Sequence, residues 1–167
     1  MVSAANGDPD PLRFTNVDAQ LYGVDVEYGL HLPLHLALEG VLSYVRGERR
    51  DVDDFLHRIP PLRGRTALGF RRGAWPASVE GVYAARQRNT SSENDESETP
   101  SYGILNLSFH WEPVAGLGVR AGVDSVLDAL YRDHLSGTNR VRDSAVAPGE
   151  RLPGPGRNFY ASITWRR

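Results

Sequence analysis

The chain has no cysteine among its 167 residues. That excludes disulfide scaffolds, thiolate-bound zinc and thiol nucleophiles, and leaves no mark of a redox compartment. Charge of one sign is also lacking: 19 Lys and Arg stand against 21 Asp and Glu, so no basic field exists to attract nucleic acid. No apolar run nears the roughly 18 residues that a membrane-crossing helix needs. The first ten residues have neither the basic start nor the apolar core of an export signal. We therefore expect Met1 to be an internal or misassigned start in a truncated gene. Enzyme signatures are missing too. There is no nucleophile beside a base, no phosphate loop, and no His or carboxylate pair at helical metal spacing, so neither catalysis nor a cofactor is expected.

What remains is turns and alternation. Seventeen Gly and eleven Pro are spread along the chain, which favours many turns and few long helices. Between them, apolar residues recur with a period of two, the mark of a strand with unlike faces. Tyr22, Val24, Val26, Tyr28 and Leu30 alternate with Gly23, Asp25, Glu27 and Gly29. Leu36, Leu38, Gly40, Leu42 and Tyr44 repeat the pattern after a turn, followed by Thr66, Leu68 and Phe70. Further strands carry Trp75 to Tyr83, Leu105 to Trp111, Val119 to Val123 and Phe159 to Trp165 on one parity. About seven strands result, each near the roughly ten residues of a tilted membrane strand. The fold class expected is all-β, an antiparallel portion of a transmembrane barrel.

Connections alternate between short ones at 32–35, 72–75 and 112–116 and long ones at 47–61, 87–100 and 128–157. Outer-membrane barrels have short periplasmic turns and long extracellular loops, which orients the last strand downward. The apolar parity of all seven strands carries no charge, as a lipid face requires, since Lys or Arg at mid-bilayer costs about 2–4 kcal/mol. The other parity carries Asp25, Glu27, Glu39, Arg65, Arg71, Glu80, Arg120 and Asp124. These are too many charges for a dry core, and we expect them to face a wet lumen, with Glu39, Arg65 and Glu80 pairing across strands. Aromatic girdles are expected at both lipid interfaces. Trp75, Trp111 and Trp165 fall at the periplasmic strand ends, and Tyr22, Tyr44, Tyr83 and Phe159 near the extracellular ends, all on the uncharged parity. A soluble β-sandwich binding module is the alternative, because it alternates too. The girdles and the uncharged face favour the barrel.

Several blocks resemble the barrels of TonB-dependent receptors. They begin with Asn16-Val17-Asp18-Ala19 and Gly23-Val24-Asp25-Val26-Glu27, and continue with Arg58-Ile59-Pro60-Pro61-Leu62-Arg63-Gly64 and Glu98-Thr99-Pro100-Ser101-Tyr102. Gly122-Val123-Asp124-Ser125-Val126-Leu127-Asp128 and Tyr131-Arg132-Asp133-His134-Leu135 complete the series. The stretch from Gly149 to Tyr160 is similar to the closing loop and last strand of the copper-receptor branch. The resemblance implies a barrel of about twenty-two strands, plugged by an N-terminal domain, that imports a metal or metal complex with energy delivered by TonB. On that reading the partners are outer-membrane lipid and lipopolysaccharide, the rest of the barrel, the plug, and TonB through the missing N-terminal part. Residues 1–15 would be the stub of a preceding strand, around Met1 to Ala4, and its loop. Residues 16–167 would be the C-terminal barrel segment. Family members end on an aromatic residue, whereas here Trp165 is followed by Arg166 and Arg167.

Few residues suggest ligand chemistry. His57 and His134 fall in long loops, where imidazole could catch a soft divalent metal, although a solvated histidine explains them as well. Asp51, Asp53, Asp54 and the run from Glu93 to Glu98 could hold divalent cations near lipopolysaccharide, or simply be solvated. Gly154, Pro155 and Gly156 are expected only to shape the descent into the last strand.

Overall fold

A computed structural model describes residues 16–73 and 75–166. The proposed stub, its loop and Arg167 lie outside the described residues. Seven strands form one antiparallel sheet in chain order: β1 (Ala19–Leu32), β2 (Leu36–Arg49), β3 (Arg63–Arg72), β4 (Trp75–Ala84), β5 (Tyr102–Val114), β6 (Leu117–Asp124) and β7 (Asn158–Trp165). Each strand pairs with its sequence neighbours, so β1 and β7 each have one unpaired side among the described residues. No helix in the described chain is long and apolar enough to cross a membrane, a result that says nothing of strands.

The register keeps like with like. Leu38, Leu68, Val79, Leu107 and Val123 lie in one row across β2 to β6, and Val24 pairs with Tyr44, Val26 with Leu42. A one-residue slip would turn each strand's apolar set to the other face, so this row fixes the pairing of the whole sheet. The sheet nevertheless has no apolar core. Among the described residues the only buried hydrophobic one is Ala84, while Phe159 is 72 % and Ile163 76 % exposed. A second sheet packed about 10 Å away is what defines a sandwich, and the described residues form none. The sandwich alternative is therefore set aside.

Two strand boundaries differ from those expected. β2 runs on past Tyr44 to Arg49, paired with β1 throughout, because backbone pairing continues after the apolar alternation stops. The extension puts Arg46 and Glu48 on the apolar face, beyond Tyr44, where they form an ion pair at 2.5 Å. At the other end of the sheet Arg72 shares that face opposite Trp75. The β5–β6 connection is tighter than 112–116. Val114 pairs directly with Leu117 after a bulge between Trp111 and Val114, and Gly116 supplies the turn at φ 85°.

Candidate functional site

The sheet offers two faces and a rim of loops. On the apolar face Trp75 stacks on Trp111 with centroids 5.2 Å apart and tilts against Phe109, while Trp165 stands opposite Leu117. These rings mark the end with the short turns. Tyr22, Tyr44, Tyr83 and Phe159 occupy the same face toward the long loops. Between the belts Tyr28 lies over Gly40, where a Cβ would meet its ring, and its hydroxyl reaches Thr66 at 2.5 Å. One side chain thereby joins three strands, and glycine is required beneath it.

The register puts Asp25, Glu27, Glu39, Arg65, Arg71, Glu80, Arg120 and Asp124 on the opposite face. Arg65 donates to Glu80 at 3.0 Å, the other Glu80 oxygen accepts from Asn106 at 3.0 Å, and Asn106 in turn accepts the Ser125 amide at 2.9 Å. Glu39 is level with Glu80 but separated from it by Ala67, so the expected ladder contains Arg65 and Glu80 and adds Asn106. A groove of about 810 Å³ runs along this face at the short-turn end, reaching His31, His35, Glu39, Glu80, His110 and Arg120.

The long connections 50–62, 85–101 and 125–157 fold onto one another through polar groups. The Asp54 carboxylate accepts Ser92 N–H at 2.8 Å, Glu93 N–H at 3.2 Å and the Ser91 hydroxyl at 3.1 Å. Those backbone amides, Ser92 first, hold its pKa well below the usual carboxylate range. Glu93 and Asp51 share Arg49, and Glu98 meets Arg86 at 2.7 Å. The acidic residues considered for cations thus serve protein donors, Asp53 and Asp95 apart. Asn139 donates to Val141 O, Val146 O and the Ser144 hydroxyl. Gly154 passes so close to the Tyr131 ring that a Cβ would overlap it, a contact that explains this glycine without a ligand.

His57 and His134, the two residues considered for metal capture, approach a single oxygen. Glu96 Oε1 lies 3.3 Å from His57 Nδ1 and 3.1 Å from His134 Nε2. Arg151 is 3.9 Å from the same oxygen, a positive charge where a bound cation would need a negative one. Among the described residues no group of three or more His, Asp or Glu has the arrangement of a metal site. His134 is fully buried, not solvated, with Thr99 Oγ1 3.0 Å from its Nδ1. Burial first, then the Arg151 guanidinium, pushes its pKa below the ordinary histidine range. In the sequence Glu96 is one acid in the run from Glu93 to Glu98. No local pattern marks a residue whose partners come from three separate loops.

The family model described as TonB dependent receptor-like, beta-barrel, matches residues 2–124. The chain belongs to the TonB-dependent receptor family. A search of curated protein sequences returned no match. Among solved structures, the TonB-dependent barrel resembles the copper transporter OprC, with 25 % identity and a TM-score of 0.85 over 90 % of this chain. It also resembles the FrpB iron transporter of Neisseria meningitidis, with 14 % identity and a TM-score of 0.66 over 88 % of this chain. The ferripyoverdine receptor of Pseudomonas aeruginosa follows, with 13 % identity and 0.60 over 88 %; the last two likenesses concern the fold alone. The chain spans 24 %, 23 % and 19 % of those three structures' lengths. As in other TonB-dependent receptors, the strands belong to the outer membrane, whose barrels in general have long extracellular loops and short periplasmic turns.

Proposed function

We propose that this chain is a wall segment of an outer-membrane importer for a metal or metal complex, copper or a siderophore-type ligand, energised through TonB. The observation that carries this reading is the 0.85 superposition on a copper transporter across 90 % of the chain. Iron and ferripyoverdine receptors among the neighbours keep the ligand class at metals in general. The segment's own part is mechanical. Its uncharged face meets lipid between the Trp75, Trp111, Trp165 belt and the Tyr22, Tyr44, Tyr83, Phe159 belt, where amphipathic rings are stable at a wet boundary. Arg46 and Glu48 lie beyond the outer belt, at the level of lipopolysaccharide headgroups. The charged face lines the lumen and meets the plug, which belongs to another part of the receptor. No residue of this segment is assigned as a metal ligand.

Cell-associated copper and iron, measured with copper salts or ferric siderophores supplied to metal-starved cells, test the reading. Deleting the receptor gene, or the gene for TonB, is expected to abolish accumulation of one of these metals. Equal accumulation of every metal in all strains contradicts it.

A further inference from the structure

The Glu96 side chain is 1 % exposed, and a carboxyl group in such a place needs protein donors to replace the water it has lost. Its two oxygens divide the task between loops. Oε1 accepts Arg58 N–H from loop 50–62 at 3.0 Å, and Oε2 accepts Ser91 N–H from its own loop 85–101 at 3.1 Å. His134 and Arg151 reach Oε1 from loop 125–157. The surrounding contacts repeat the same three-way pattern. Arg58 donates to Leu135 O at 2.6 Å, Arg151 donates to His134 O and Ser97 O, and Gln87 donates to Ile59 O at 2.7 Å. Among the described residues, the buried side chains of these loops are, Pro61 apart, the polar Gln87, Ser91, Thr99, Ser125, His134 and Asn139. Cohesion must therefore come from polar contacts, and at one carboxylate two backbone hydrogen bonds from loops 50–62 and 85–101 meet the close approach of His134 and Arg151 from loop 125–157.

We propose that Glu96 is a latch that joins the three extracellular loops into a single body, so that any opening of the mouth over this arc of the wall moves all three together. The inference rests on the extracellular placement of the loops, not on which metal is carried. An importer whose loops moved separately would lose this proposal and keep its function.

Native-state hydrogen exchange on the intact receptor in detergent tests it directly, since segments that open as one unit share one opening free energy and one denaturant slope. The reporters are the Leu56, Gln87 and Leu152 amides, each hydrogen-bonded to a carbonyl in or beside its loop. In the unmodified receptor the three are expected to follow one common isotherm; three distinct isotherms overturn the proposal. In Glu96→Gln an amide NH2 must face either Arg58 N–H or Ser91 N–H. Exchange at all three reporters should then rise by about tenfold or more, the scale of a lost hydrogen bond to a charged group. Glu98→Gln, which loosens only the surface pair with Arg86, should change none of them. Acceleration confined to Gln87 would contradict the latch. If Glu96→Gln also exposes strand amides such as Val79, the isotherms of the unmodified receptor decide.

Discussion

At Gly116 the backbone adopts φ 85°, and a Cβ there would run into the Arg166 carbonyl oxygen. Both effects act against any side chain, because the positive φ is costly for an L-residue and the obstacle is backbone, which cannot rotate away. Gly116→Ala should therefore lower the stability of the assembled barrel by about 1–3 kcal/mol, read as a shift in the urea midpoint in lipid vesicles. An unchanged midpoint would mean that the turn relaxes freely. Gly40 and Gly122 serve close approach of a different kind, lying beneath the Tyr28 and Tyr160 rings on opposite faces of the sheet. At this scale the sequence was only half legible. The turn glycines announce themselves, but which glycine lies under which ring depends on register, and His134 looked like a solvated loop residue until the Glu96 cluster enclosed it.

Strands were the readable unit. The parity of each of the seven could be read because lipid on one side and water on the other impose unlike chemistry on adjacent residues. Legibility failed where that contrast fades. Val45 to Arg49 extend β2 with charges on both parities, and nothing there distinguishes a paired strand from a loop. The loops were legible only in length, since Arg58, Ser91 and Leu135 meet across gaps that no local period spans. Adjacent residues of β3 offer a sharp test of the strand reading. Leu68 sits between Leu38 and Val79 on the apolar face, and Ala67 sits between Glu39 and Glu80 on the other. Leu68→Arg should cost about 2–4 kcal/mol, as expected for Arg facing lipid near the midplane. Ala67→Arg should cost far less, because two carboxylates flank it. The urea midpoints of the two variants would separate accordingly. Equal effects would contradict the assignment of faces.

As a whole molecule the chain is a curtain without a core of its own. One apolar residue is buried among those described, whereas a water-soluble domain of this length would bury most of its apolar side chains. On the proposed reading, stability comes from lipid against one face, from plug and lumen water against the other, and from strands that pair with β1 and β7. Barrel closure is the general remedy for such unpaired edges. The latch at the top is the exception to this dependence on surroundings, since its bonds are internal to the three loops. The most direct test of lipid contact uses the lack of native cysteine. Single cysteines at positions 77 to 82 of β4, spin-labelled in the receptor reconstituted in lipid vesicles, would be probed with oxygen, which concentrates in lipid, and with a water-soluble nickel chelate. Labels at 77, 79 and 81 should respond to oxygen and not to nickel, and those at 78, 80 and 82 should show the reverse preference. Labels at 77, 79 and 81 that are shielded from both reagents, as in the interior of a sandwich, would contradict the account.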